Sequence, residues 1–322
     1  MTKSRSQRII PFVLCLIVLT ITIIGTPVNI HAVSNERESM KITFTKKKTT
    51  IVAGKTYTYK VKVSGTNDSV SWSVSNKKVA TISKAGKLTA KRAGKVIVTA
   101  KAGTAKASVN VTVKGKQVIA IDPGHQRKGD SSTEAIGPGS KKKKAKVASG
   151  TSGVASKVPE YKLTLAVSLK LREELWNRGY EVVMTRDKND VNISNKERAL
   201  LANESGADIC IRIHADGSTN QSVSGASVLY PSSKNPYVSN LSKASKELAK
   251  EVITSYCKAT QAKNRGMVAR DDLTGTNWST IPVIVLEIGL MSNPTEDTKM
   301  QTKAYQDKIV DGICNGIDAY FG

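Results

Sequence analysis

The run Val118-Ile119-Ala120-Ile121-Asp122-Pro123-Gly124-His125 decides how most of this chain folds. Four apolar, largely β-branched residues close on an acid, a Pro-Gly turn and a histidine. The pattern returns in Ile209-Cys210-Ile211-Arg212-Ile213, followed by His214, and in Val283-Ile284-Val285-Leu286, which ends on Glu287. Short, near-continuous apolar runs of this kind read as strands buried on both faces. Helical patterns lie between them. Behind Glu160, Leu163, Val167 and Leu171 recur at i+4, Leu175 and Trp176 continue the stripe, and Gly179 stops it. Further strands are predicted over 180–185 and 226–230, and helices over 195–205, 240–258 and 303–320. This alternation predicts an α/β domain over 117–322, with a mostly parallel twisted sheet flanked by helices. In open sheets of this class, sites form beyond the carboxyl ends of the strands. His125, His214 and Glu287 are therefore expected at one edge.

Residues 40–114 read differently. Alternating runs at 57–63, 70–74, 96–100 and 109–113 are separated by turn signals such as Asn67-Asp68, Ala85-Gly86 and Ala93-Gly94. Short strands at this spacing predict an all-β sandwich, with Trp72 as core packing. Lysines such as Lys60 and Lys62 alternate with the apolar positions. Residues 41–116 hold 18 Lys/Arg against one acid, Asp68, whereas residues 117–322 hold 28 against 23. A module of one sign wants a polyanion: nucleic acid, an anionic membrane or an anionic cell-wall polymer.

Export chooses among these. Lys3, Arg5 and Arg8 precede an apolar stretch over 9–24, with a cleavage site after Ala32, so residues 1–32 read as a signal peptide and 33–39 as a short linker. The stretch is short for a membrane span, which argues against stable membrane insertion. A secreted protein has no access to nucleic acid, which leaves the cell wall. Cys210, Cys257 and Cys314 are widely spaced and odd in number, so they read as small buried residues and neither as a disulfide framework nor as a zinc knuckle.

The two histidines beyond the leader occupy matching positions after strand runs, which core packing does not explain. Neutral imidazoles suit zinc, and a third ligand must be a carboxylate or a cysteine. Glu160 opens a helix and could lean over the strand ends. It reads equally as a helix N-terminal acid favoured by the macrodipole, and the residues alone leave both readings open. The stretch 129–157, with Lys141-Lys142-Lys143-Lys144 at its middle, has no apolar periodicity and is predicted to be a basic loop.

Six segments in order carry a resemblance: Ile121-Asp122-Pro123-Gly124-His125, Glu160-Tyr161-Lys162-Leu163-Thr164-Leu165, Thr185-Arg186, Arg198-Ala199-Leu200-Leu201-Ala202-Asn203, Ile213-His214-Ala215-Asp216 and Leu286-Glu287-Ile288-Gly289-Leu290-Met291-Ser292-Asn293. Together they resemble the zinc-dependent N-acetylmuramoyl-L-alanine amidases of the amidase 3 family, nearly end to end over 117–322. The pattern from Trp72-Ser73-Val74 to Val98-Thr99-Ala100 resembles the bacterial Ig-like group 2 domain. The first resemblance implies zinc held by His125, Glu160 and His214, a catalytic Glu287, and a sheet of about six strands flanked by helices. It implies peptidoglycan as substrate, cleaved between N-acetylmuramic acid and L-Ala of the stem peptide. A secreted enzyme of the bacterial, Gram-positive cell wall follows, with the basic module on an anionic wall polymer. Asp122 is expected to steady a ligand, Arg186 and Arg198 to be structural or to form ion pairs, and Asn277 and Trp278 to line the groove.

Some positions depart from the family pattern. Gln126-Arg127-Lys128-Gly129-Asp130 replaces a glycine-rich stretch, Asp216 stands where Asn is common, and Leu290 where Phe is common. None removes a ligand. Two rival readings are weaker. His214-Ala215-Asp216 resembles the H-x-D pair of iron oxygenases, but no histidine follows it. A wall-bound adhesin with a dead site would have lost one of His125, Glu160, His214 or Glu287, and all four are present.

Overall fold

Alternation of apolar with polar residues over 41–114 becomes nine short strands in the computed structural model, which describes residues 39–322. They are β1 (Lys41–Phe44), β2 (Thr50–Val52), β3 (Thr56–Thr58), β4 (Val61–Ser64), β5 (Ser71–Val74), β6 (Ala80–Ile82), β7 (Lys87–Ala90), β8 (Gly94–Ala102) and β9 (Ala105–Lys114). They pair as β1-β4, β2-β9-β8-β5 and β3-β7-β6. Ile51, Leu88, Val96, Val98 and Val111 point inward, while Lys62, Lys87, Lys95 and Lys101 stay exposed. Trp72 packs against Phe44, ring centroids 5.9 Å apart, as expected of a core residue. The single strand expected over 57–63 is two. The chain turns at Tyr59, whose ring is buried and whose hydroxyl donates to Lys48 O at 2.5 Å, and β3 and β4 then join different sheets. Switching sheets at a bend is how sandwiches make corners.

The second domain carries a six-stranded sheet in the order β13-β10-β14-β17-β15-β16. Its strands are β10 (Val118–Pro123), β13 (Glu181–Met184), β14 (Ile209–Asp216), β15 (Ala226–Tyr230), β16 (Asn264–Ala269) and β17 (Val283–Leu290); β11 (Asp130–Ala135) and β12 (Lys143–Val147) form a separate hairpin. Every neighbouring pair is parallel except β15 with β17, so the sheet is mixed but mostly parallel. The helices are α1 (Glu160–Asn177), α2 (Asn195–Glu204), α3 (Ser242–Thr260), α4 (Thr274–Asn277), α5 (Pro294–Met300) and α6 (Lys303–Phe321). Edge strand β16 and the short α4 and α5 have no clean apolar period, and sequence patterning does not find them.

The two faces of this sheet differ, and that difference positions the site. Side chains alternate along a strand. Ile119, Ile121, Ile209, Ile211, Ile213, Ile284 and Leu286 form one core with Leu163 and Val167 of α1, Val252 of α3 and Ile309 of α6. On the opposite face Ala120, Cys210 and Val283 pack with Ala202 of α2. Further along that second face stand Asp122, Arg212, His214, Val285 and Glu287. His214 and Glu287 therefore lie within β14 and β17, and only His125 follows its strand.

The loop expected over 129–157 is corrected. β11 (Asp130–Ala135) and β12 (Lys143–Val147) pair as an antiparallel ribbon. The ribbon is tied down along its length. Lys196 N donates to Glu134 Oε1 (3.0 Å), Trp278 Nε1 to Ala135 O (2.9 Å), Asn195 Nδ2 to Lys146 O (2.8 Å), and Lys144 Nζ to Asp272 Oδ2 (2.9 Å). Tethers to backbone and charge replace the apolar face that a strand usually needs, so periodicity is blind to it. Lys141, Lys142 and Lys143 remain exposed.

Cys210 and Cys314 are buried and Cys257 is half-buried, all unpaired. Burial pushes the Cys257 thiol up to about 11 and Cys210 up to about 12, so both are inert thiols at neutral pH. No helix among the described residues is long and apolar enough to cross a membrane. The signal-peptide reading, residues 1–32, lies outside the described residues.

Candidate metal centre

The approach of β10 to β14 leaves no room for a side chain at Gly124: a Cβ there would lie 2.5 Å from the His214 ring. The Gly124 carbonyl is fixed by Thr164 Oγ1 (2.8 Å) and Arg186 Nη2 (2.9 Å). His125 follows with φ of 61°, a left-handed conformation uncommon outside glycine. Such strain persists only where the surroundings hold it. Arg198 Nη2 donates to the His125 carbonyl at 3.0 Å, and His125 Nδ1 lies 2.7 Å from Ala148 O on the ribbon side. That contact makes Nδ1 the protonated nitrogen and leaves a lone pair on Nε2.

The lone pair faces Glu160. His125 Nε2 is 3.2 Å from Glu160 Oε2, and His214 Nδ1 is 3.2 Å from Glu160 Oε1. One donor atom from each residue falls within a cluster spanning 4.8 Å. Glu160 does not cap its own helix. Its carboxylate accepts from Thr151 N and Ala215 N, both at 3.0 Å, and so leans across to the strands. Burial would raise its pKa, but the neighbouring His125 and His214 outweigh burial and hold it well below the usual carboxylate range. Burial lowers the pKa of His214, which keeps the imidazole neutral, the form that binds metal.

The donor set fits a zinc ion. Two ligands at ~2.0–2.1 Å from a tetrahedral zinc are roughly 3.3–3.4 Å apart, close to the spacing of both His–Glu pairs. An imidazole lone pair held 3.2 Å from a carboxylate oxygen is repulsive unless a proton or a cation lies between them.

Glu287 stands opposite His214 in the β14–β17 register. Its Oε2 is buried without a hydrogen-bond partner among the described residues. Burial, then the carboxylates of Glu160 and Asp216, push its pKa well above the usual range. His125, His214 and Glu287 border two cavities. One, of about 410 Å³, runs under the ribbon past Val147, Arg212 and Thr274. The other, of about 510 Å³, opens past Thr151, Asp216 and Ser292. A substrate with two arms can lie through both with its centre at the histidines.

The surrounding residues depart from expectation at Asp122 and at Asn277 and Trp278. Asp122 touches no candidate ligand. It pairs with Arg198 Nη1 (2.9 Å) and Arg212 Nε (2.7 Å), and steadies His125 only through Arg198. Of the two arginines expected to be structural or ion-paired, Arg198 forms the ion pair and Arg186 is structural: its guanidinium donates to the carbonyls of Pro123, Gly124 and Tyr161. Asn277 is fully buried and holds Asn235, and Trp278 braces the ribbon, so Leu273 and Thr274 line the groove in their place. Sequence reasoning passed over Arg212. Its signal was a charged residue inside an otherwise apolar strand, two places before His214.

The chain matches the N-acetylmuramoyl-L-alanine amidase family over residues 119–319 and the bacterial Ig-like domain (group 2) over residues 39–113. It is 26% identical over 243 residues to the N-acetylmuramoyl-L-alanine amidase AmiA of Escherichia coli, covering 64% of this chain and 77% of that one. It is 29% identical over 184 residues to the germination-specific N-acetylmuramoyl-L-alanine amidase of Bacillus subtilis, covering 52% and 73%. Among solved structures, the N-acetylmuramyl-L-alanine amidase Ami1 of Mycobacterium smegmatis aligns with a TM-score of 0.58 at 27% identity, covering 65% of this chain and 98% of that one.

Proposed function

The chain belongs to the N-acetylmuramoyl-L-alanine amidase family, and on that footing we propose that it is a secreted, zinc-dependent peptidoglycan hydrolase. It cleaves the amide between N-acetylmuramic acid and the L-Ala of the stem peptide. The convergence of His125, Glu160 and His214 beside an unpartnered Glu287 carries this reading. His125, Glu160 and His214 hold the ion. Zinc bound there supplies a Lewis acid for the scissile carbonyl and lowers the pKa of water toward about 7.

The protein's own residues do the rest. Glu287 accepts a proton from the attacking water as the new C–O bond forms. It returns that proton to the L-Ala nitrogen as the C–N bond breaks, so the amine leaves neutral. The Ala148 carbonyl and Arg198 keep the His125 ring in one orientation. The two cavities take the glycan and peptide sides of the substrate. The basic Ig-like module holds the enzyme on an anionic cell-wall polymer through its exposed lysines.

Digestion of purified sacculi tests the reading. It requires new L-Ala amino termini without new reducing sugar ends. Release of other amino termini would identify a peptidase, and release of reducing ends a glycosidase.

A further inference from the structure

The cavity under the ribbon contains a cation that the hydrolysis does not use. Arg212 lies two residues before His214 on β14, so both side chains rise from one sheet face about 6.4–6.8 Å apart. Across that face Asp122, Arg212 and Val285 stand in register, with Leu229 beside Val285. The row forms a floor one step below His214 and Glu287. Arg212 is 5% exposed, yet it borders the cavity. Its Nε donates to Asp122 and its Nη2 to Asn195 Oδ1 at 2.6 Å, while Nη1 has no acceptor among the described residues. Gly275 makes space for it: a Cβ there would sit 2.2 Å from Nη1.

The local charge is unbalanced. Arg186, Arg198 and Arg212 are all buried; among the described residues Arg198 and Arg212 share the one carboxylate of Asp122, and Arg186 pairs with none. Burial and the neighbouring Arg198 pull Arg186 down to about 10, as expected where cations outnumber anions. Asp272, the other acid on this cavity besides Glu287, is already taken by Lys144 and Arg270. A buried guanidinium with an unused donor beside a substrate cavity suits an incoming carboxylate.

We propose that Arg212 is a specificity-determining residue that binds a free carboxylate on the peptide arm of the substrate, one residue beyond L-Ala. The inference rests on the amidase reading and deepens it. It makes the enzyme a reader of whether that stem carboxylate is free or amidated. An amide in the same place presents a neutral oxygen and an N–H that meets another donor.

The test compares two muramoyl tripeptides, N-acetylmuramoyl-L-Ala-γ-D-Glu-L-Lys, with the α-carboxyl of D-Glu either free or a primary amide. For the wild-type chain, kcat/KM should favour the free acid by about tenfold or more, mostly through KM. Arg212→Gln should bring the two substrates within about twofold, and Arg212→Lys should restore part of the preference. Equal cleavage by wild type overturns the proposal without reference to any variant. So does a preference that survives in Arg212→Gln, or an equal fall in kcat on both substrates, which would mean that Arg212 only positions Glu287. If wild type cleaves neither tripeptide nor sacculi, the amidase reading falls and takes the proposal with it.

Discussion

Glu287 lies opposite His214 in the β14–β17 register, yet its Oε2 is buried without a hydrogen-bond partner among the described residues. Native proteins rarely leave such an atom unsatisfied. The two parallel strands thus bring an imidazole and a buried carboxyl to the same point above the sheet. One is suited to a metal, the other to a moving proton.

That division of labour predicts the behaviour of Glu287→Gln. The amide keeps the shape and takes away the proton-accepting group. Turnover should fall by something like 10²–10⁴-fold while zinc content stays at the wild-type level. Metal analysis and muropeptide kinetics on one preparation check both halves. Near-wild-type turnover would refute the role.

Asp122→Asn should weaken the fold. The change leaves Arg198 and Arg212 buried with no carboxylate, which costs on the order of 3–5 kcal/mol. The melting temperature should drop accordingly, and His125 should lose its orientation through Arg198. Arg198→Lys tests the same chain of contacts more gently, because it keeps the charge and loses the fork.

The Asp122 carboxyl also predicts a pH dependence of stability. Burial works against its ionisation, but Arg212, Arg198 and the Thr185 hydroxyl outweigh burial and hold its pKa well below the ordinary value. A depressed folded-state pKa adds stability that is fully present above the unfolded value, about 3.9, and is lost as pH falls toward the folded value. The difference in melting temperature between wild type and Asp122→Asn should be flat from about pH 5 to 7 and shrink below about pH 4. A difference that grows on acidification would contradict the assignment.

The Ig-like module should bind walls by charge. The 18 Lys/Arg against one acid over residues 41–116 predict tighter binding of the whole chain to walls carrying teichoic acid than to stripped walls. The advantage should fade with added salt, since exposed charges are screened beyond roughly 8–10 Å at moderate ionic strength. Equal, salt-insensitive binding to both would make the module a spacer.

What was legible in the sequence follows the physics of each element. The runs at Ile119–Ile121, Ile209–Ile213 and Val283–Leu286 are β-branched because three helices cover one face of the sheet, and such runs announce themselves. His125, His214 and Glu287 were legible because their strands are. Glu160 was not decided by its own residue type, since an acid at a helix start has an ordinary explanation; the backbone N–H groups of Thr151 and Ala215 that draw it across are set by tertiary packing. The ribbon of β11 and β12 was hidden because hydrogen bonds hold it to α2, Asp272 and Trp278 without an apolar face. Arg212 was hidden because one charge in a strand says nothing until its neighbours in register are known.

Zinc stoichiometry in His214→Ala tests the account most directly. Wild type should carry one zinc per chain, and the variant, with Glu160 and His125 alone remaining, should lose both the metal and amidase activity while staying folded. Full zinc occupancy in folded His214→Ala would contradict the assignment of His125, Glu160 and His214 as the metal centre.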